Sequence, residues 1–353
     1  MMSRFQSPVL DGLTPYTPGE QPKDKRYIKL NTNESPFPPS LRVIEAVTEE
    51  EVKKLNLYSD PTLSCVTQAV ADHYGLTPDW VVAGNGSDEV LAFAFRAWGH
   101  KGITAPDITY GFYPVFASFF GLDYKTVPVN EALQVEPTKL SSATGMLVFA
   151  NPNAQTGLYL PLNEVEAIVA SNPDRVVIVD EAYIDFGGES AVALTKKYDN
   201  LLVVQTFSKS RNLAGGRIGF GIGNPALVKD LNTLRYSFNP YNVNRLSLLA
   251  AQAAMLDTAY FERCTREVIR VRELTRRSLE SLGFYVTDSR ANFLLAESKA
   301  IDGKSLYLAL KDRGILVRYL GDERIQNFIR ITIGTEEQMN ALVATIKDIL
   351  EVR

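Results

Sequence analysis

Lys209 stands in Gln-Thr-Phe-Ser-Lys-Ser, directly after the apolar run Leu201-Leu202-Val203-Val204. Taken alone it reads as a loop lysine. An amine at the end of a buried strand has a second use, because burial disfavours its charged form and a neutral amine attacks an aldehyde to give a Schiff base. Eight residues on, Ala214-Gly215-Gly216-Arg217-Ile218-Gly219-Phe220 sets one arginine in flexible backbone. Its planar fork of donors suits a phosphate. Asp180 follows another run, Val176-Val177-Ile178-Val179. An Asp there commonly caps a turn. It also suits the buried carboxylate that keeps a pyridine nitrogen protonated, the electron sink on which pyridoxal phosphate chemistry depends. Tyr183, three residues further, and Asn153, in Asn-Pro-Asn-Ala-Gln-Thr-Gly, are both able to hydrogen-bond the 3-oxygen of such a ring. The second segment reads equally as a plain turn. Gly84-Asn85-Gly86-Ser87-Asp88-Glu89 opens a helical stretch through Trp98, and free N–H groups at a helix start attract anions. The third glycine of a dinucleotide fingerprint is missing, so a phosphate cradle is the better reading.

These residues need elements to bring them together. Val81-Val82-Ala83, Met146 to Ala150, Val176 to Val179 and Leu201 to Val204 are short continuous apolar runs, each followed at once by polar residues. Such runs suit strands of a parallel sheet buried on both faces, and ligands of open α/β sheets bind outside the strands' carboxyl ends. The sequence therefore predicts a mostly parallel sheet covered by helices. Residues 1–40, with Pro8, Pro15, Pro18, Pro22, Pro36, Pro38 and Pro39, read as an extended arm rather than a packed element. A helical period runs from about Leu41 to Leu57. After about residue 241 come one or two long helices to 283, then short strands at 293–295, 315–317 and 328–331 alternating with helices that end at Arg353. The expected division is an arm over 1–40, a large domain over 41–245 and a smaller α+β domain over 246–353. Two lobes also suit 353 residues, more than one core usually supports.

A formal charge of -4 argues against nucleic-acid binding. Cys65 and Cys264 lie far apart in no paired motif, which fits a reducing compartment. His73 and His100 are too few for most histidine chemistry, and with no His/Cys cluster no metal site is expected. The first residues hold no apolar stretch after a basic region, and no run approaches the roughly 20 apolar residues of a membrane span. A cytoplasmic protein is expected.

The order Gly-Ser-Asp-Glu after a strand, Asn-Pro-Asn-x-x-Thr-Gly, Asp-Glu-Ala-Tyr, then Ser-Lys-x5-Gly-x-Arg-x-Gly resembles the fold-type-I pyridoxal-phosphate-dependent aminotransferases. Within them it is most similar to the histidinol-phosphate aminotransferases. Leu-Thr-Pro-Tyr-Thr-Pro-Gly at 13–19, Leu-Asn-Thr-Asn-Glu-Ser-Pro at 30–36, Gly-Ile-Leu-Val-Arg-Tyr at 314–319 and Arg-Ile-Thr-Ile-Gly at 330–334 add to the likeness, which covers nearly the whole chain. Ser35 departs from the asparagine of that family's pattern. The resemblance implies pyridoxal 5'-phosphate held by Lys209, with Asp180 on the ring nitrogen and Tyr183 and Asn153 on the 3-oxygen. It implies Tyr110 stacked on the ring and Ser87, Asp88, Thr206, Ser208 and Arg217 around the phosphate. It implies a homodimer in which Tyr58 reaches the neighbouring site.

For substrate, the resemblance implies an anion clamp of Arg330 and Arg318, closed over by Tyr16 and Asn33 from the arm. Arg330 interrupts an apolar strand, where an unpaired charge is costly; an edge-strand arginine pointing to water is the plainer reading. The implied reaction passes the amino group of glutamate to imidazole-acetol phosphate, giving histidinol phosphate. The rival readings are an aromatic-amino-acid aminotransferase, a threonine-phosphate decarboxylase and a binding module that kept the fold. No His-Gly-Gly segment of the decarboxylase type occurs near the start, and a binding module has no need of Lys209.

Overall fold

The computed structural model describes residues 5–7, 10, 12–141 and 144–351. Pro8 of the expected arm and Arg353 of the expected last helix lie outside them. In chain order the strands are β1 (Ile28–Lys29), β2 (Val81–Asn85), β3 (Ile103–Pro106), β4 (Tyr124–Val127), β5 (Met146–Ala150), β6 (Val177–Asp180), β7 (Leu201–Thr206) and β8 (Ile218–Gly223). There follow β9 (Phe284–Val286), β10 (Phe293–Ser298), β11 (Ile315–Leu316), β12 (Arg318–Tyr319) and β13 (Phe328–Thr332). The helices of the first part are α1 (Leu41–Ala46), α2 (Glu49–Val52), α3 (Ser64–Tyr74), α4 (Ser87–Trp98), α5 (Tyr113–Phe120), α6 (Pro137–Ser141), α7 (Leu162–Ala170) and α8 (Pro225–Phe238). Those of the second are α9 (Arg245–Leu256), α10 (Thr258–Ser281), α11 (Gly303–Asp312) and α12 (Glu336–Glu351). No helix among the described residues is long and apolar enough to cross a membrane.

The four apolar runs do become strands of one seven-stranded sheet, ordered β2-β8-β7-β6-β5-β3-β4. From β7 to β4 the pairs are parallel, whereas β8 runs antiparallel to both its neighbours. Strands β5, β6 and β7 are buried along their whole length, as double-faced helix cover requires. β8 lies in the stretch that the sequence reading treated as flexible glycine-rich backbone. Its glycines serve close packing instead: a Cβ on Gly219 would stand 2.1 Å from the backbone nitrogen of Ser87, and one on Gly221 3.1 Å from Val90. The start of α4 can therefore lie directly on the sheet.

Three other expectations change. The helical period from Leu41 breaks into α1 and α2, because the Thr48 hydroxyl caps a new helix by accepting from Glu51 N. The arm does not stay unpacked. Ile28–Lys29 pairs in parallel with Ile315–Leu316, and Leu30 is buried in the second core, since this stretch carries apolar side chains that an extended arm would leave in water. The long helices of 242–283 part company. α9 gives Leu248, Ala251 and Met255 to the core of the large sheet, while α10 gives Val268, Val271 and Leu279 to the second core. The second core lies under the four-stranded antiparallel sheet β12-β13-β10-β9.

Candidate active site

The carboxyl ends of the parallel strands converge with the small sheet on two adjoining chambers. The inner one, about 360 Å³, is lined by Ser87, Asp88, Tyr110, Asp180, Tyr183, Thr206, Ser208, Lys209 and Arg217, among others. The outer one, about 470 Å³, is lined by Tyr16, Asn33, Asp107, Gln155, Arg318 and Arg330, among others. Thr32, Tyr110, Tyr183 and Lys209 line both, so Lys209 sits at the junction. Its Nζ donates to the carbonyl of Thr32 at 3.4 Å and lies 5.8 Å from the centre of the Tyr183 ring.

Asp180 ends β6 at the floor of the inner chamber, buried to 4% exposure. One oxygen caps the turn, accepting from Ala182 N at 3.2 Å, and the other accepts the Tyr113 hydroxyl at 2.7 Å. Burial pushes its carboxyl up to about 6, against the pull of these two donors. At the opposite wall α4 begins with Gly86 and Ser87. Arg217 lies beneath that start: a Cβ on Gly86 would stand 2.6 Å from Arg217 Nη2. Its Nη2 donates to Asp88 at 3.4 Å and its Nη1 to Ser208 Oγ at 3.5 Å. Nη1 also donates to the Ala214 carbonyl at 3.4 Å, and all three contacts are long, so an anion can compete for them. Arg217 also holds a left-handed backbone, φ 52°, a conformation that persists in side-chain-bearing residues when surrounding structure enforces it. Tyr110 donates its hydroxyl to the other Asp88 oxygen at 2.9 Å, which spans the chamber between the two walls.

In the outer chamber Arg318 and Arg330 are direct partners across the β12–β13 pair. Like charges directly opposite on a sheet repel. Neither forms an ion pair among the described residues. Arg330 Nη1 donates to the carbonyl of Ala154 at 2.8 Å and to Gln155 Oε1 at 2.9 Å, but its buried Nε has no hydrogen-bond partner there. Burial pulls its guanidinium below the ordinary range. β13 lies between β12 and β10, so this is no edge-strand arginine pointing to water. Arg318 donates to the carbonyls of Pro18 and Thr17, tying the arm over the cleft. Tyr16 then packs on Phe112 with ring centres 4.8 Å apart.

The structure places three further expected residues as follows. Asn33 is buried, with φ 54°, and lines the outer chamber from within the fold. Its amide donates to the Tyr183 hydroxyl at 3.0 Å and its Oδ1 accepts from Thr332 Oγ1 at 3.1 Å, so it braces Tyr183 against the small sheet. Asn153 is 2% exposed, its amide donates to the Ile108 carbonyl at 2.8 Å, and its neighbour Ala154 lines the inner chamber. Tyr58 stands on the outside, 79% exposed and stacked on Tyr241 at 4.3 Å. Sequence reading missed Tyr113, Thr32 and Gln155. A tyrosine at a helix start three residues after Tyr110 was the available signal, since a buried phenol requires a partner.

The family model of class I and II aminotransferases matches residues 25–346. The chain belongs to this family. This aminotransferase is 49% identical over 353 residues to the histidinol-phosphate aminotransferase of Brachyspira hyodysenteriae, with 99% of this chain and 100% of that one covered. Its fold is similar to the crystal structure of histidinol-phosphate aminotransferase from Sinorhizobium meliloti in complex with pyridoxal-5'-phosphate, with a TM-score of 0.89, 23% identity and coverage of 100% and 99%. L-threonine-O-3-phosphate decarboxylase from Porphyromonas gingivalis shares the fold too, with a TM-score of 0.79, 22% identity and coverage of 92% and 99%. Fold alone thus does not separate amino transfer from decarboxylation.

Family membership implies pyridoxal 5'-phosphate, and the inner chamber fits it. A buried carboxylate with no cationic partner within ion-pair range among the described residues faces one end. A helix start and an arginine face the other, and an amine stands at the rim.

Proposed function

We propose that this aminotransferase moves the amino group of glutamate to imidazole-acetol phosphate, forming histidinol phosphate, with pyridoxal 5'-phosphate in the inner chamber. The observation that carries the substrate reading is the cross-strand pair Arg318 and Arg330, cations without an acidic partner among the described residues, set beyond Lys209 in the outer chamber. A phosphate or carboxylate relieves their repulsion and takes up the orphaned donor.

Bound pyridoxal 5'-phosphate supplies an aldehyde that takes up an amino group and a protonated ring that draws electrons from the adjoining carbon. Asp180 holds the proton on the ring nitrogen. Tyr183, braced by Asn33, serves the 3-oxygen, with Asn153 behind it on the loop after β5. Tyr110, which lines the chamber, would stack on the ring. Ser87 and Asp88 at the start of α4, with Thr206, Ser208 and Arg217, hold the phosphate. Lys209 Nζ would hold the cofactor's aldehyde group and, once released from it, would carry the proton that amino transfer moves. Arg330, with Arg318, binds the glutamate carboxylate in one half-reaction and the substrate phosphate in the other, so one clamp serves both substrates in turn. Tyr16 excludes water from the mouth. Tyr58, exposed on this chain, serves the phosphate of a second subunit, and the working protein is a cytoplasmic homodimer.

The deciding experiment is a half-reaction. Cofactor-loaded protein is mixed with histidinol phosphate, phenylalanine or threonine phosphate while the bound cofactor's absorbance is followed. Rapid bleaching with histidinol phosphate, with keto product formed, is the expected result. Preferential response to phenylalanine makes the protein an aromatic aminotransferase, and carbon dioxide from threonine phosphate makes it a decarboxylase. Sedimentation as a monomer under working conditions overturns the role of Tyr58.

A further inference from the structure

Tyr113 opens α5 and is fully buried. Its hydroxyl donates to Asp180 Oδ2 at 2.7 Å. The remainder of α5, Pro-Val-Phe-Ala-Ser-Phe-Phe, is apolar but for Ser118. Packing by itself explains an aromatic ring at this position, next to Phe95 at 6.0 Å and Tyr110 at 5.5 Å. It does not explain the hydroxyl, since a phenylalanine would fill the same space without burying a polar group. The oxygen must be there for what it touches.

We propose that Tyr113 is a positioning residue for the transamination reaction: its O–H keeps Asp180 ionised and aimed into the inner chamber, and so keeps the cofactor's ring nitrogen protonated. This rests on the assignment of Asp180 to that nitrogen.

The surroundings of Asp180 explain why such a donor is needed. Burial favours the neutral acid most strongly, and the charge of Asp88 on α4 acts in the same direction. Against them stand the Tyr113 hydroxyl on α5, the backbone N–H of Ala182 and the charge of Lys209 in the loop after β7. Among the described residues, Tyr113 is the one side chain that hydrogen-bonds the carboxylate. The phenol does not lose its own proton: burial first, and then the charge of Asp180, hold it well above its ordinary range. One turn of chain thus serves both ends of the chamber. Tyr110 orients Asp88 at the phosphate wall, and Tyr113 orients Asp180 at the floor.

The test compares two cofactors. Apoprotein is titrated with pyridoxal 5'-phosphate or with its carbocyclic analogue, in which C–H replaces the ring nitrogen, and binding is read from the cofactor's absorbance. Tyr113→Phe is expected to weaken binding of the natural cofactor about tenfold to a hundredfold, the range for a hydrogen bond to a charged group. It should leave the analogue bound as tightly as by the unaltered protein. Tyr113→His, which retains an N–H donor, should keep a preference for the nitrogen-bearing cofactor, and it decides the matter if the phenylalanine variant does not fold. Equal loss of both cofactors, or loss of neither, overturns the inference. Asp180→Asn in the same titration separates the two readings. If it discriminates between the cofactors and Tyr113→Phe does not, the role of Tyr113 fails alone. If Asp180→Asn does not discriminate either, the assignment of Asp180 has failed, and this inference with it.

Discussion

The two chambers that meet at Lys209 are built on opposite electrostatic plans. In the inner one each carboxylate already has hydrogen-bond donors: Asp180 has Tyr113 and Ala182, and Asp88 has Tyr110 and Arg217. In the outer one two arginines face each other across a strand pair, and one guanidinium nitrogen has no partner among the described residues. The first plan suits a group that stays in place through the catalytic cycle, because fixed donors and acceptors can be preorganised around it. The second suits ligands that come and go. An uncompensated pair of cations carries a cost in the free protein that an arriving anion removes, which adds to its affinity.

Four experiments break or sharpen this contrast. The largest effect belongs to the junction. Lys209→Ala should fold and retain cofactor yet lose about 10²–10⁴-fold in both half-reactions, the usual range for a positioned acid–base group; near-normal single-turnover rates would dismiss the proton-carrying role. Arg330→Ala tests the outer plan. It should lower kcat/KM for histidinol phosphate about tenfold to a hundredfold. The melting temperature of the unliganded protein should fall modestly, because the loss of the hydrogen bonds to Ala154 and Gln155 and of the contact with the Phe293 ring outweighs relief of the repulsion from Arg318. A drop in stability without a change in kcat/KM would make Arg330 a packing residue.

Asp180→Asn tests the inner plan through pH. Below about pH 4 the carboxyl is protonated in folded and unfolded chains alike, and its burial has no ionic cost. Between there and about 6, where burial has pushed it, the unfolded chain ionises first, so the folded form loses stability as pH rises. The cofactor-free variant should therefore gain on the unaltered protein as pH rises, by roughly 3 kcal/mol at most above pH 7. Denaturant titrations at pH 5 and pH 8 measure this, and a constant difference would mean that Asp180 is not held against its charge. The smallest effect is that of Tyr58→Phe, about tenfold in cofactor affinity, the low end of the range for a hydrogen bond to a charged group. Unchanged affinity would remove Tyr58 from the neighbouring site.

Much was legible from local sequence. The runs at 146–150, 176–179 and 201–204 predicted buried strands, and β5, β6 and β7 lie there, because continuous β-branched runs satisfy a sheet covered on both faces. Gly84 to Glu89 marked the start of α4 because small residues leave its N–H groups open. β8 was not legible, since Gly219, Gly221 and Gly223 read as loose chain until a helix is known to lie on them. Nor was the paired edge of the arm, which exists because Ile28 to Leu30 meet a strand nearly 290 residues away.

What the sequence by itself determined was the chemical inventory and the ends of the strands that carry it: a lysine, a carboxylate, a helix start and two arginines, each beside an apolar run whose periodicity depends on near neighbours alone. The tertiary structure decided which groups touch. Asp180 is held by a phenol 67 residues away, Asn33 braces the Tyr183 hydroxyl, and Arg318 meets Arg330 across a ladder. Contacts of this kind come from sheet order and register, which long-range packing sets and no local pattern records.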